Sequence, residues 1–347
     1  MSKILKIEIA VLLVLLLIAV FVRFDALTPP TPDDSTLQNS STKDPTDPPT
    51  DPPTDPPTDP PTEPPTEPPT EPVVLTFGED FSLNASTYFV YNCTDENWMA
   101  ISGNPDKQVY PASITKLFTA YVAMSILDPE TVVTIGSEVN AVAADSSLAY
   151  LRVGMKLTAE QLLNCMLLPS GNDAAYAIAV AAAREYHNDS GLSYSAALQA
   201  FVTLMNERAQ ELGMTGTHFM NPDGYHDWSH YTTCQDMVTM ARLALSNETI
   251  AKTVRTSSVT MTFVSGETRT YHNTNYLLDS NSAYYCADAI GLKTGNTNAA
   301  GKCLLSAFEI EGNTIIVGTL ACEWLDVRFE DTLKLHNLVV EAFGEVE

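Results

Sequence analysis

The polarity pattern divides the chain into three parts. An apolar run from Ile9 to Val22 follows Lys3 and Lys6 and is closed by Arg23. After it come dozens of residues with no apolar periodicity. From about residue 73 to the end, apolar and polar positions recur with the periods of strands and helices. Ser86–Asn92 and Trp98–Ile101 alternate as a β-hairpin about Thr94-Asp95-Glu96-Asn97. A helix is expected from about Ser113 to Leu127, and another from Thr158 to Leu168, opened by Thr158 and Gln161 as a capping box. Further helices are expected at about 173–186 and 193–212, the second closed by Gly213. Thr233 with Asp236 opens one more, to about Leu245. β character returns at Ala289–Lys293, Lys302–Glu309 and Thr314–Ala321, and an amphipathic helix covers roughly 326–343. Strands at both ends and helices between predict an α/β (α+β) domain at 73–347, an antiparallel sheet flanked by helices with a helical subdomain.

The first two parts read as targeting and spacing. A charged start followed by an apolar run is an export signal. Arg23-Phe24-Asp25 offers no small-residue cleavage site, so residues 1–27 are expected to remain as a single-pass N-terminal signal anchor; cleavage, giving a secreted chain, is the alternative. The lysines before the run place the bulk of the chain outside the cytoplasm. Residues 28–72 form a stalk. From Thr46 it repeats TDPP four times, then TEPP, to Pro72. Proline fixes φ and removes backbone donors, so a disordered, extended polyproline II spacer is expected. At ~3.1 Å per residue, 27 such residues reach roughly 80 Å.

Charge narrows the partners. The chain carries 43 acids against 18 Lys and Arg, a net charge of -25. The stalk does not account for all of it: residues 73–347 hold 31 acids and 14 bases. Nucleic acid as a partner is excluded for want of a basic patch. Six cysteines, at 93, 165, 234, 286, 303 and 322, include no CxxC pair, which argues against a zinc ribbon or a thioredoxin-type site. Their even number permits disulfides in an exported chain. Most lie in apolar runs, where burial as free thiols is the simpler reading.

Three short motifs carry candidate chemistry. In PASITKLFTA, Ser113 and Lys116 lie one helical turn apart on one face. A buried lysine loses hydration, its pKa falls, and it can act as a base toward a neighbouring hydroxyl. In LLPSGNDAAYAIA, Ser170-Gly171-Asn172 sits in a tight link between two apolar helices, where a hydroxyl and an amide can be held rigidly. In AIGLKTGNTNAAGKC, Lys293-Thr294-Gly295 offers a cation and a hydroxyl beside a glycine at a strand edge, which suits a carboxylate ligand. Each also has an ordinary structural reading. SxxK recurs in the stalk as Ser40 and Lys43, and SxN recurs at Ser82 and Ser102. GNTNAAGKC misses a P-loop by one extra residue and by Cys303 where Ser or Thr is needed.

Together and in this order, SxxK, SxN and KTG are the signature of the penicillin-recognising serine enzymes. LLPSGNDAA, FVTLMNERAQELGMTGTHFMNPDGYHD, YHNTNYLL and GLKTGNTNAAGKCLL resemble the D-alanyl-D-alanine carboxypeptidases, the serine-type low-molecular-mass penicillin-binding proteins. The resemblance spans about residues 80 to 340 and implies the penicillin-recognising serine hydrolase fold. It further implies removal of the terminal D-alanine from peptidoglycan stem peptides through an acyl-enzyme, and a covalent adduct with β-lactams. Ser113 would be the nucleophile, Lys116 its base, and Ser170 a proton relay. Asn172 would hold the substrate amide. Lys293, Thr294 and Gly295 would receive the terminal carboxylate, and the backbone N–H groups of Ser113 and Asn296 would form the oxyanion hole. No metal or cofactor is implied. A DD-endopeptidase, a β-lactamase of the same fold and a non-catalytic wall-binding surface protein are the alternatives. Asn296 departs from the Tyr or His more usual after KTG. His218, His226 and His230 are read as packing residues.

Overall fold

The computed structural model describes residues 72–344. The expected signal anchor and all of the stalk except Pro72 lie outside the described residues.

Five antiparallel strands form the central sheet. They are β1 (Thr87–Asn92), β2 (Asn97–Ile101), β7 (Ala289–Thr297), β8 (Gly301–Ile310) and β9 (Asn313–Cys322). Their order is β2-β1-β9-β8-β7, so the N-terminal hairpin pairs directly with the last strand, Phe89 opposite Gly318. Apolar positions along β8 and β9 point alternately to two cores. Cys303, Leu305, Ala307, Ile316 and Leu320 face the main one, and Leu304, Phe308, Ile310, Ile315 and Val317 face the second. A strand buried on both faces needs the near-continuous apolar run these segments have.

The helices between β2 and β7 are α1 (Thr115–Met124), α2 (Ala159–Leu167), α3 (Asn172–Tyr186), α4 (Tyr194–Glu211), α5 (Cys234–Ser246) and α6 (Glu248–Arg255). They build the main core on one face of the sheet. The last helix, α7 (Val327–Gly344), covers the other face through Phe329, Leu335 and Val339. Burying a side chain of this size contributes about 1.5–3 kcal/mol. Helix starts follow the polar residues before them. Thr158 and Gln161 bond each other's backbone N–H, both at 3.1 Å, at the head of α2. Thr233 Oγ1 accepts from Asp236 N at α5, and Asn247 Oδ1 accepts from Ile250 N at α6.

Two expectations change in detail. Ser113 lies not in an α-helix but in a 3-10 turn, Ala112–Ile114, which leads into α1. Ala112 takes a left-handed φ of +48°, and a regular helix cannot start through it. The Lys293-Thr294-Gly295 triplet does not follow a short strand; it lies inside β7, which runs nine residues. Helix α6 and the short pairs β3 (Val132–Thr134) with β4 (Lys156–Thr158) and β5 (Ser258–Thr262) with β6 (Thr268–His272) have no counterpart in the sequence reading. The strand pairs are short and largely exposed, so periodicity has little to register there, and α6 is only eight residues long with Ile250, Thr253 and Val254 buried. Among the described residues, no helix is long and apolar enough to cross a membrane. Those residues include all six cysteines, which are free; Cys93 is half-buried and the others are buried.

Candidate active site

The 3-10 turn carrying Ser113 is wedged between two backbones. A Cβ on Gly224 would stand 1.9 Å from Ala112 O, and one on Gly295 would stand 2.9 Å from Pro111 O. Only glycine permits both approaches. The loop Asn221–Gly224 and edge strand β7 therefore close on the turn from two sides.

Lys116 projects from the first turn of α1 and is fully buried. Its Nζ lies 2.8 Å from Ser113 Oγ, 2.8 Å from Asn172 Oδ1 and 2.6 Å from Asp223 O. Burial lowers its pKa to about 8, against the raising pull of Asp223 and Asp173. A neutral amine has two N–H groups and one lone pair. Asn172 Oδ1 and Asp223 O can only accept, so they take both N–H groups. The lone pair is left toward the Ser113 hydroxyl, which then donates its proton to Lys116.

Asn172 opens α3, and its Nδ2 donates to Ser146 Oγ at 2.9 Å. Its neighbour Asp173 holds the loop that carries Ser146. The carboxylate accepts from Ala149 N at 2.8 Å and from Leu151 N at 2.9 Å. Ser170, just before α3, is held at a left-handed φ of +62°, a backbone cost of order 1–3 kcal/mol that concentrates at functional positions. It borders the same cleft as Ser113 and Asn172.

On the opposite wall, Lys293 is fully buried. Burial is the largest cause of its strongly lowered pKa, and the nearby cations of Lys116 and Arg328 lower it further. Thr294 Oγ1 lies 2.7 Å from Thr274 Oγ1. Arg328, at the start of α7, is buried and reaches Gly295 O with Nη1 at 3.3 Å. Arg328, with the Lys293 amine beside it, gives this side of the cleft a positive field that suits an anionic ligand group. The cleft measures about 710 Å³ and is bordered by Ser113, Ser146, Ser170, Asn172, Thr294, Gly295 and Asn296. That volume suits a peptide-sized ligand. β7 is the edge of its sheet, so an extended peptide can pair along it.

The sequence-derived candidates thus gather about one cleft, with Lys116 and Lys293 buried behind its walls. The SxN look-alikes lie elsewhere, Ser102 Oγ bonding Tyr88 and Ser82 O accepting from Lys334, and the SxxK look-alike at Ser40 lies outside the described residues. His230 is buried and held neutral, its pKa pushed down to about 3, chiefly by burial. Its Nδ1 accepts from Met220 N, so Nε2 donates to Thr115 Oγ1 at 2.9 Å. His218 Nδ1 donates to Ser229 O. His226 stacks edge-on with Tyr110 and Trp228 and borders the cleft. Sequence reasoning missed Asp223, Ser146, Thr274 and Arg328. Asp223 lies in the quoted NPDGYHD stretch and Thr274 in YHNTNYLL; nothing local marked Ser146 or Arg328.

The family model for D-alanyl-D-alanine carboxypeptidase (Peptidase S11) matches residues 79–323. A Streptomyces sp. (strain K15) D-alanyl-D-alanine carboxypeptidase is 38% identical over 234 residues, covering 65% of this chain and 77% of that protein. The Bacillus subtilis D-alanyl-D-alanine carboxypeptidase DacF is 30% identical over 207 residues, and the chain spans 49% of its length. The Escherichia coli DacD is 28% identical over 257 residues, with 61% of its length spanned. Among solved structures, the Streptomyces K15 DD-transpeptidase superposes with a TM-score of 0.67 at 32% identity, over 76% of this chain and 98% of that one.

Proposed function

The chain belongs to the D-alanyl-D-alanine carboxypeptidase family of serine peptidases, and from that premise we propose that it removes the terminal D-alanine from peptidoglycan stem peptides. The single observation that carries this reading is the set of contacts around Lys116. Two acceptors take its N–H groups, and its remaining valence meets Ser113 Oγ at 2.8 Å.

In the proposed reaction, Lys116 takes the Ser113 proton as Oγ attacks the carbonyl of the penultimate D-alanine. The oxyanion rests on the backbone N–H groups of Ser113 and Asn296. Asn172 holds the substrate amide, while Lys293 and Thr294, beside Gly295, receive the terminal carboxylate. The C–N bond breaks, and the proton returns to the departing D-alanine nitrogen through Ser170. Water then adds to the acyl-enzyme, Lys116 again acting as base, and frees Ser113. A β-lactam that opens on Ser113 leaves no departing group and remains as a covalent adduct.

The acyl-enzyme can also be resolved by an amine. The similar K15 protein of known structure is a DD-transpeptidase, which makes this the second reading. A DD-endopeptidase cutting crosslinks would use the same residues.

The same proposal assigns residues 1–27 to a membrane anchor, 28–72 to a spacer and 73–347 to an extracytoplasmic catalytic domain. A pentapeptide stem ending in D-Ala-D-Ala, incubated with the full chain, is expected to release D-alanine. It is expected to yield a crosslinked product only if a peptide amine competes with water. A fluorescent penicillin is expected to label the wild type and not Ser113→Ala. Labelling of that variant would move the nucleophile elsewhere.

A further inference from the structure

On the face of the sheet away from the cleft, three different metal-binding side chains converge. Cys286 Sγ, an Asp288 carboxylate oxygen and His336 Nε2 all lie within 4.8 Å of one another. Cys286 and Asp288 sit in the turn that enters β7, and His336 lies in the middle of α7. The geometry points to a site for a divalent transition metal, zinc in the first place, held by Cys286, Asp288 and His336 with one position left to solvent.

The distances fit. Zinc bonds of about 2.3 Å to sulfur and 2.0–2.2 Å to nitrogen and oxygen, at tetrahedral angles, set S···N near about 3.5 Å and N···O near about 3.4 Å. Sγ and Nε2 stand 3.5 Å apart. Nε2 and Asp288 Oδ2 stand 2.8 Å apart, so the carboxylate must withdraw by roughly 0.6 Å to admit the ion. It can do so, because the Asp288 side chain is 44% exposed while that of His336 is 8% exposed. Exposure on the aspartate side also supplies the route of entry and the solvent position.

The surroundings are those of a ligand set. The second ring nitrogen of His336 is 3.2 Å from Asn337 Oδ1 and donates to it, while Nε2 donates to Asp288 Oδ2 at 2.8 Å, so loss of that one proton would turn the Nε2 lone pair toward Cys286 and Asp288. The turn is fixed by its own backbone: Cys286 N donates to Leu277 O, Ala289 N to Cys286 O, and Glu309 N to Asp288 O. Two of the three ligands are therefore placed before any ion arrives. Without an ion the ring keeps a proton instead. Burial lowers its affinity for that proton, but hydrogen bonding to Cys286, Asn337 and Asp288 outweighs this and raises the pKa to about 9. The metal must displace that proton.

Such an ion would join α7 to the start of β7. Arg328 already joins the head of α7 to the far end of β7 at Gly295. The strand carrying Lys293 and Thr294 would then be fixed to one helix at both ends. The metal itself takes no part in the peptidase chemistry, and its absence would leave the reading of the catalytic site untouched.

The test is titration of the full chain, stripped of metal, with Co²⁺ and with Zn²⁺. Cobalt is expected to give one equivalent of binding with tetrahedral d–d bands and a thiolate-to-metal charge-transfer band. Cys286→Ser is expected to abolish the charge-transfer band, and Cys93→Ser to leave it unchanged. Asp288→Asn removes one of the three ligands and is expected to weaken zinc binding by more than the about 10–100-fold that loss of an outer-shell partner costs, with the metal-free melt of the variant as its folding control. It should also remove the rise in Tm that zinc gives the wild type. Absence of a thiolate band in the wild type, or zinc affinity unchanged in both Cys286→Ser and Asp288→Asn, overturns the site.

Discussion

The Lys116 amine stands 2.8 Å from Asn172 Oδ1, and this contact decides which way its lone pair faces. As an ammonium Lys116 has no lone pair, so the Asn172 amide presents Oδ1 to it, and Nδ2 is left to donate to Ser146 Oγ at 2.9 Å. The oxygen therefore stays on Lys116. With Asp223 O on a second side, the lysine offers its basic electrons only toward Ser113. The motif residues work as one unit: SxN sets the orientation of the base in SxxK.

Acylation should follow the titration of Lys116. The reactive form is the neutral amine, and burial brings its pKa to about 8. The rate of β-lactam acylation is thus expected to rise about tenfold per pH unit below that value and to level off above it. Stopped-flow acylation with a chromogenic β-lactam from acid to alkaline pH measures this directly. A flat profile through pH 6–8 would remove Lys116 as the base. Lys116→Ala should lower the plateau by ~10²–10⁴-fold.

Replacing Asn172 by Asp tests the orienting contact by charge alone. Asn172→Asp keeps the shape and the acceptor at 2.8 Å but sets an anion against the amine. An opposite charge this close raises a pKa by about 1–3 units. The acylation profile is expected to shift to higher pH by at least about one unit, so the rate at neutral pH falls while the alkaline plateau is largely kept. An unshifted profile in a folded, labelled variant would mean that the amide does not face the lysine.

How much of this was legible beforehand depended on periodicity and on order. The buried runs of β8 and β9 and the caps at Thr158 and Thr233 stand out in the chain, and the elements formed there. The turn at Ser113 did not stand out. Its left-handed Ala112 is imposed by Gly224 and Gly295, which are more than a hundred residues away in sequence. Ser146, Asp223 and Arg328 were hidden for the same reason. Asp223 bonds Lys116 through its backbone oxygen, a contact that residue type does not mark, while its carboxyl adds a raising pull on the lysine, and Arg328 reaches the site from the last helix on the far side of the sheet. Order along the chain, rather than any single motif, made the site readable.

Gly224 provides a test of that tertiary constraint. Gly224→Ala places a Cβ 1.9 Å from Ala112 O at a φ of +76°. The clash falls on backbone and cannot be relieved by a rotamer. The substitution is expected to cost more than about 2 kcal/mol of stability. It should also slow penicillin labelling more than the lost stability explains, because the Ser113 turn must move. Gly312→Ala is the control: φ is +74°, but nothing lies within 4 Å. Thermal melts and labelling rates of the two variants separate strain from displacement.

Asp173 supports the site without touching it. Its two carboxylate oxygens accept from Ala149 N and Leu151 N, both buried, and so hold the loop whose Ser146 steadies Asn172. Asp173→Asn turns one acceptor into a donor that faces a backbone N–H. The unsatisfied pair is expected to cost about 1.5–3 kcal/mol, since hydrogen bonds to charged groups lie at the upper end of the range. Lys252→Ala, which removes an exposed ion pair with Glu160 at 2.8 Å, should leave stability almost unchanged. Hydrogen exchange at Ala149 and Leu151 should quicken in Asp173→Asn and not in Lys252→Ala. A loosened loop frees Asn172 to leave Lys116, so the alkaline plateau of acylation should fall in the first variant only, while loss of the Asp173 charge moves the rise of its profile to lower pH. Equal protection at those two amides would mean that the loop is held by something other than Asp173.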